Sequence, residues 1–155
     1  MQLRQAILTD IPQLTVLRLS VTENQLSDPG LVTEQDYITY LSQRGRGWVC
    51  ETGGLVTGFA IVDNTDHNVW ALFVLPGYEG QGIGRRLHDA MLDWYFSQGE
   101  TFIWLGTAPG TRAERFYRKA GWQDRGLRPN GEKRFELTAA QWQAARHHAD
   151  HPQDS

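Results

Sequence analysis

Residues 74–86 read Val74-Leu75-Pro76-Gly77-Tyr78-Glu79-Gly80-Gln81-Gly82-Ile83-Gly84-Arg85-Arg86. An apolar run, residues 69–75, leads into this stretch. Ile83, Leu87, Ala90, Met91, Trp94 and Tyr95 leave it at helical spacing, and Gly99 supplies a stop. The segment therefore joins a buried strand directly to an amphipathic helix. Its glycines let backbone amides come close to a ligand. The first amides of a helix have no partner inside the helix, and the helix dipole favours an anion there. Together these features make a cradle for phosphate or pyrophosphate. Spacing excludes two familiar cradles. A dinucleotide fingerprint from Gly80 needs glycine or alanine where Arg85 stands, inside a βαβ unit. A P-loop from Gly77 needs lysine where Ile83 stands.

Upstream, residues 48–52 and 55–62 flank Gly53-Gly54 and predict a β-hairpin. Residues 63–68 form a polar turn. Asp10, with Pro12 and Gln13 after it, predicts a helix start, and Thr33 with Asp36 predicts a second. The loop between those helices, residues 23–30, ends in the turn sequence Ser-Asp-Pro-Gly. Downstream, residues 101–105 read as a strand and residues 112–120 as a short helix closed by Gly121. Two last strands surround Pro129-Asn130-Gly131, and Thr138 with Gln141 caps a final helix. Helices interrupting a mostly antiparallel sheet give an α+β fold. One domain is expected over residues 1–145, with a flexible tail over 146–155.

Eighteen acidic against fifteen basic residues give a net charge of -3 in 155 residues. That excludes a general nucleic-acid binder, which is basic. The single Cys50 excludes an intramolecular disulfide and a cysteine-cluster zinc site; it reads as a buried strand residue. No apolar run approaches the ~18 residues of a membrane span. The first residues lack the pattern of a signal peptide. A cytoplasmic protein without membrane contact is the expectation.

Phe73-Val74, Gly80-Gln81-Gly82-Ile83-Gly84 and the helix after them resemble the acetyl-CoA-binding core of the GNAT N-acyltransferase superfamily. The family pattern is Q/R-x-x-G-x-G/A, and Glu79 here replaces its first residue. A carboxylate beside a pyrophosphate repels it, so Glu79 is expected to point away. A second series, Gly110, Ala113, Phe116-Tyr117 and Gly121-Trp122, resembles the family's following loop and helix, with Gly110 where the family commonly has asparagine.

The resemblance implies a splayed, mostly antiparallel mixed sheet flanked by helices. It implies transfer of an acetyl group from acetyl-CoA directly to an amine, on a small molecule or a peptide, with no metal. A non-catalytic acyl-CoA-binding sensor or regulatory module is the alternative. The pantetheine arm is implied to lie along Leu72, Phe73 and Val74, whose amides also polarise the thioester carbonyl. Residues Glu79, Gly80, Gln81, Gly82, Ile83, Gly84 and Arg85 are implied to surround the pyrophosphate, with Gly110, Arg112 and Phe116 from the second series. Arg85 and Arg112 are the choices for the 3′-phosphate. Tyr117 is implied to protonate the departing thiolate. Many relatives place a base early in the strand before the glycine loop, but residues 69–75 contain no Asp or Glu. Glu23, Asp36, the Asp66-His67 pair and a water chain are the candidates, and Glu23 is carried forward. Trp70 and Trp104, on the strands bracketing the acetyl group, are offered as core residues or as walls of the acceptor pocket. Homodimers are common in the family; no residue here locates an interface.

Overall fold

A computed structural model describes residues 1–21 and 32–150. Seven strands form one sheet in the order β1-β2-β3-β4-β5-β7-β6. They are β1 (Gln2–Gln5), β2 (Gly45–Thr52), β3 (Leu55–Asp63), β4 (Asn68–Val74), β5 (Phe102–Thr107), β6 (Gln123–Leu127) and β7 (Lys133–Thr138). The helices are α1 (Ile11–Ser20), α2 (Glu34–Thr39), α3 (Ile83–Ser97), α4 (Arg112–Lys119) and α5 (Ala139–Asp150). All neighbouring strands run antiparallel except β4 and β5. The α+β expectation holds, and the hairpin at Gly53-Gly54 joins β2 to β3.

The sheet has two apolar faces, each covered by helices. On one face Ile83, Leu87, Met91 and Leu92 of α3 pack on Cys50, Ala60, Ile103, Leu105 and Phe135. On the other, Leu14 and Leu17 of α1 and Tyr37 of α2 pack on Val49, Phe59, Ile61 and Ala71. Burial of α3 departs from the predicted stripe in one respect: His88 and Leu92 are fully buried, while Ala90 and Trp94 lie at the margin. Cys50 is fully buried, and burial raises its thiol pKa.

The parallel pair is the feature that builds the site. β4 and β5 share one ladder position, Asn68 opposite Trp104, and Trp104 N donates to His67 O at 2.9 Å. Beyond it the strands separate. On the other side of β4, Val69 pairs with Val62 and Ala71 with Ile61, which leaves Trp70 as an extra residue. Such a bulge bends its strand and increases the local twist. β4 therefore turns out of line with β5, and the edge of β4 facing the gap is released from strand pairing.

Two caps form as predicted. Thr33 Oγ1 accepts from Asp36 N at 3.1 Å while Asp36 Oδ2 accepts from Thr33 N at 2.9 Å. Thr138 and Gln141 repeat the arrangement at 3.1 and 2.9 Å. α1 starts directly after Asp10, as predicted, but the Asp10 side chain does not cap it. Its carboxylate faces backward, accepting from Ile7 N at 2.8 Å and from Arg4 Nη1 and Nη2 at 2.9 and 2.8 Å. Gln13 instead accepts from Val56 N. α5 runs to Asp150, and Arg146 reaches Asp89 and Asp93 at 3.4 and 3.2 Å.

Asp10 is buried, and its bond to Arg4 holds its carboxyl below the usual pKa. Asp10→Ala should lower stability at neutral pH by about 1–3 kcal/mol, because Ile7 N and Arg4 lose an acceptor. A depressed folded pKa supplies stability above the unfolded value of ~3.9 and loses it as pH falls through the folded value. Urea denaturation at pH ~7 and pH ~3 should thus show the gap between variant and wild type narrowing in acid.

Candidate active site

A cavity of about 550 Å³ opens where β4 and β5 part. Its walls come from β4, from the glycine loop and first turn of α3, from the end of β5, and from α4. Sequence and bulge cooperate here. The splay makes the slot, and the loop after β4 must then enter α3 at its mouth.

Gly82 is the N-cap of α3 with φ +82°, a left-handed conformation that side-chain-bearing residues rarely adopt. It offers no side-chain acceptor, so the first amides of α3 are not capped by their own N-cap. Gly80, Gly82, Ile83 and Gly84 all border the cavity. The positive end of α3 is thus presented to the slot. Arg85 and Arg112 add cationic side chains to its wall. Arg85 also leans along α3 toward Asp89, at 3.4 Å.

Tyr117 stands on α4 and borders the slot. Its ring packs edge-on against Phe116 and Trp122, with centroids 5.3 and 5.5 Å away. The hydroxyl makes no hydrogen bond to the described residues. Burial raises the phenol pKa well above its ordinary value, so the group stays protonated through neutral pH. The ring is packed, and its hydroxyl is uncommitted at the cavity wall.

His88 supports that ring, and the sequence reading missed it. Trp122 Nε1 donates to His88 Nε2 at 3.0 Å, which leaves the imidazole proton on Nδ1, 2.9 Å from Asp89 Oδ1. Burial lowers the His88 pKa and keeps the ring neutral. The imidazole lies edge-on to Phe116 and 6.4 Å from the Tyr117 ring. It ties α3 to the end of α4. A histidine at a helical core position was the available signal.

The slot gathers most of the predicted residues: Leu72, Phe73, Val74, Glu79, Gly80, Gly82, Ile83, Gly84, Arg85, Arg112, Phe116 and Tyr117 all border it. Gln81 and Gly110 do not. Gln81 lies between two wall glycines, and Gly110 sits in the loop before α4 at φ +77°. Glu79 only partly turns away. Its carboxylate accepts from Gly77 N at 2.8 Å, and hydrogen bonds from the Gly77 and Glu79 amides lower its pKa. That folds the charge back upstream of the helix-start amides, although the residue remains on the wall. Tyr78, Thr107 and Lys119 also border the slot, and of these Thr107 carried no motif that pointed to it.

The predicted bases fare differently. Glu23 lies outside the described residues. Asp36 is engaged as the cap of α2. Asp66 pairs with Arg44 at 2.9 Å, and His67 Nδ1 lies 2.9 Å from the Tyr95 hydroxyl; neither borders the slot. Trp70 lines the slot and stacks on Tyr40 at 4.2 Å. Trp104 does not line it. Its ring is held between Arg128 and Arg134, at 4.8 and 4.4 Å, so its cation partners are the protein's own.

Comparison with known sequences decides the family. A profile of the acetyltransferase (GNAT) family matches residues 12–122. The chain belongs to the GNAT family. Over 90 residues it is 34% identical to an uncharacterised N-acetyltransferase of Mycobacterium bovis, covering 56% of this chain and 54% of that protein. The match thus spans about half the length of that curated relative. Among solved structures, a Streptococcus mutans protein superposes with a TM-score of 0.75 at 18% identity, over 89% of this chain and 99% of its own. A Salmonella typhimurium protein solved with acetyl-CoA superposes with a TM-score of 0.73 at 20% identity, over 89% and 93%. Both share the GNAT fold. Among the described residues no helix is long and apolar enough to cross a membrane.

Proposed function

We propose that this chain transfers an acetyl group from acetyl-CoA directly to a primary amine of a small molecule or peptide, in the cytoplasm. The observation that carries the reading is the uncommitted Tyr117 hydroxyl at the wall of the splayed β4–β5 slot. An acyl-CoA sensor needs the slot but has no use for a proton donor there.

The residues fit acetyl-CoA as the co-substrate. The released edge of β4 offers backbone groups at Leu72, Phe73 and Val74 to an extended amide-bearing arm such as pantetheine. The amides from Gly80 to Arg85 suit a pyrophosphate. Arg85 and Arg112 suit a further phosphate. Gly84 supports the fit in another way: a Cβ there would enter the slot between Val74 and Phe116, at 3.5 and 3.9 Å. Acetyl-CoA supplies the activated acyl group, and the chain orients it and supplies the leaving-group proton from Tyr117.

The test is a thiol-release screen. Protein and millimolar acetyl-CoA are incubated with a panel of amines, and free CoA is followed. Thiol release that depends on one amine class supports the reading and names the acceptor. Acetyl-CoA that raises the melting temperature while no amine triggers release would leave the binding-module alternative standing instead.

A further inference from the structure

Side-chain alternation breaks at one point of β4. Val69, Leu72 and Val74 pack with the cluster under α3, and Phe73 packs with the cluster under α1 and α2. Trp70 and Ala71 are neighbours in the chain, yet both pack with the α1 and α2 cluster. In a regular strand two such neighbours point to opposite faces. The bulge accounts for the exception. Trp70 is the residue left over between the Val62–Val69 and Ile61–Ala71 pairs, and a bulge re-aims the side chain it carries. An indole is thereby added to the α1 and α2 face. Tyr40 stacks on it at 4.2 Å and 14°, and Tyr37 meets it edge-on at 5.4 Å. The ring is held in place but only half-buried, and it borders the slot.

The slot is bordered from both faces of the sheet. The glycine loop, the start of α3 and α4 border it on the face where Tyr117 packs. Among the described residues, the charged ones that border it are Glu79, Arg85, Arg112 and Lys119, and all four belong to that loop or to those helices. On the other face the described residues that border it are Val21, Trp70, Ala71 and Phe73, all apolar. The guanidinium of Arg18 lies 5.9 Å from the centre of the Phe73 ring, and Arg18 does not border the slot.

We propose that the acceptor is a primary amine on an uncharged apolar body, an arylalkylamine, seated against Trp70. This rests on the acetyl-transfer reading above. The face with the cations and the helix-start amides suits the phosphates, which leaves the apolar face to the acceptor. An apolar body is drawn from water by contact with Trp70, Val21 and Phe73. An aromatic ring gains a further edge-on or offset contact with the indole. A second ammonium, as in a diamine, would give up water there with no anion on the wall to meet it. Arg18, behind Phe73, repels such a charge as well. A carboxylate, as in an amino acid, would give up water with no cation on that wall.

The experiment measures kcat and KM by thiol release for phenethylamine, ethylamine, putrescine and phenylalanine, with wild type, Trp70→Ala and Trp70→Leu. The melting-temperature shift with acetyl-CoA is recorded for each protein. In kcat/KM the wild type should favour phenethylamine over each of the others by roughly 10–10²-fold. Trp70→Ala should reduce the preference over ethylamine to about 3-fold or less, chiefly by raising KM for phenethylamine, and should keep the acetyl-CoA shift. A wild type that uses putrescine or phenylalanine as well as phenethylamine overturns the proposal. So does a Trp70→Ala protein that keeps the wild-type preference. A Trp70→Ala protein that loses the acetyl-CoA shift and all rates together marks a structural role and overturns it too. If the alanine variant does not fold, Trp70→Leu decides: it keeps an apolar wall without the ring contact, so the preference should fall severalfold, and an unchanged preference overturns the proposal. A wild type that releases no thiol with any amine overturns the transfer reading and this proposal together. That outcome is distinct from an active wild type that shows no preference among the four amines.

Discussion

Tyr117→Phe should lower turnover by roughly 10²–10⁴-fold and leave acetyl-CoA binding nearly unchanged. Phenylalanine keeps the ring that packs between Phe116, Trp122 and His88 and removes only the hydroxyl. That hydroxyl holds no structural hydrogen bond among the described residues, so its loss has little reason to disturb the fold. In the proposed transfer, charge builds on sulfur as the C–S bond breaks, and the phenol held protonated by burial supplies its proton. The check is kcat by thiol release beside the melting-temperature shift with acetyl-CoA. A variant that turns over like wild type would reduce Tyr117 to a packing residue.

The second large effect concerns the cradle. Gly84→Val should abolish the acetyl-CoA-induced rise in melting temperature while the apo protein stays folded. Position 84 lies in α3 without a left-handed φ, and a Cβ there meets Val74 and Phe116 at ordinary contact distances. The apo chain can accommodate the added bulk, but the slot between loop and α4 cannot hold it and a ligand together. Gly82→Val should also abolish the shift, by a different route. At φ +82° a β-branched residue is strained, so the start of α3 must rearrange and the apo melting temperature should fall as well. Thermal melts with and without millimolar acetyl-CoA separate the two. A Gly84→Val protein that keeps the full shift would show that the ligand does not pass that wall.

These positions also mark how far the sequence reaches by itself. The strand, glycine loop and amphipathic helix were legible from residues 69–99, because each rests on neighbours in the chain: apolar periodicity, a turn that only glycine accommodates, and amides without intrahelical partners. The caps at Thr33 and Thr138 and the hairpin at Gly53-Gly54 were legible for the same reason. The short helix that carries Tyr117 was legible too, through its position before Gly121.

What the neighbours could not specify was decided by partners distant in sequence. The Asp10 carboxylate turned toward Arg4 because strand β1 brings that guanidinium within 2.8 Å, a stronger partner than a free helix amide. His88 became a buried brace because Trp122, 34 positions later, presents an indole N–H to it. The parting of β4 from β5 depends on the extra residue at Trp70, which exists only in the register between β4 and β3. The contact of Glu132 with Gly106 was hidden most completely. Glu132 lies 26 positions from Gly106, and β5–β7 pairing is what sets it over that glycine. Local hydrogen bonding and periodicity thus determined which elements form and where the glycine loop enters α3. Strand pairing across long separations, which no short window of sequence encodes, decided the shape of the slot.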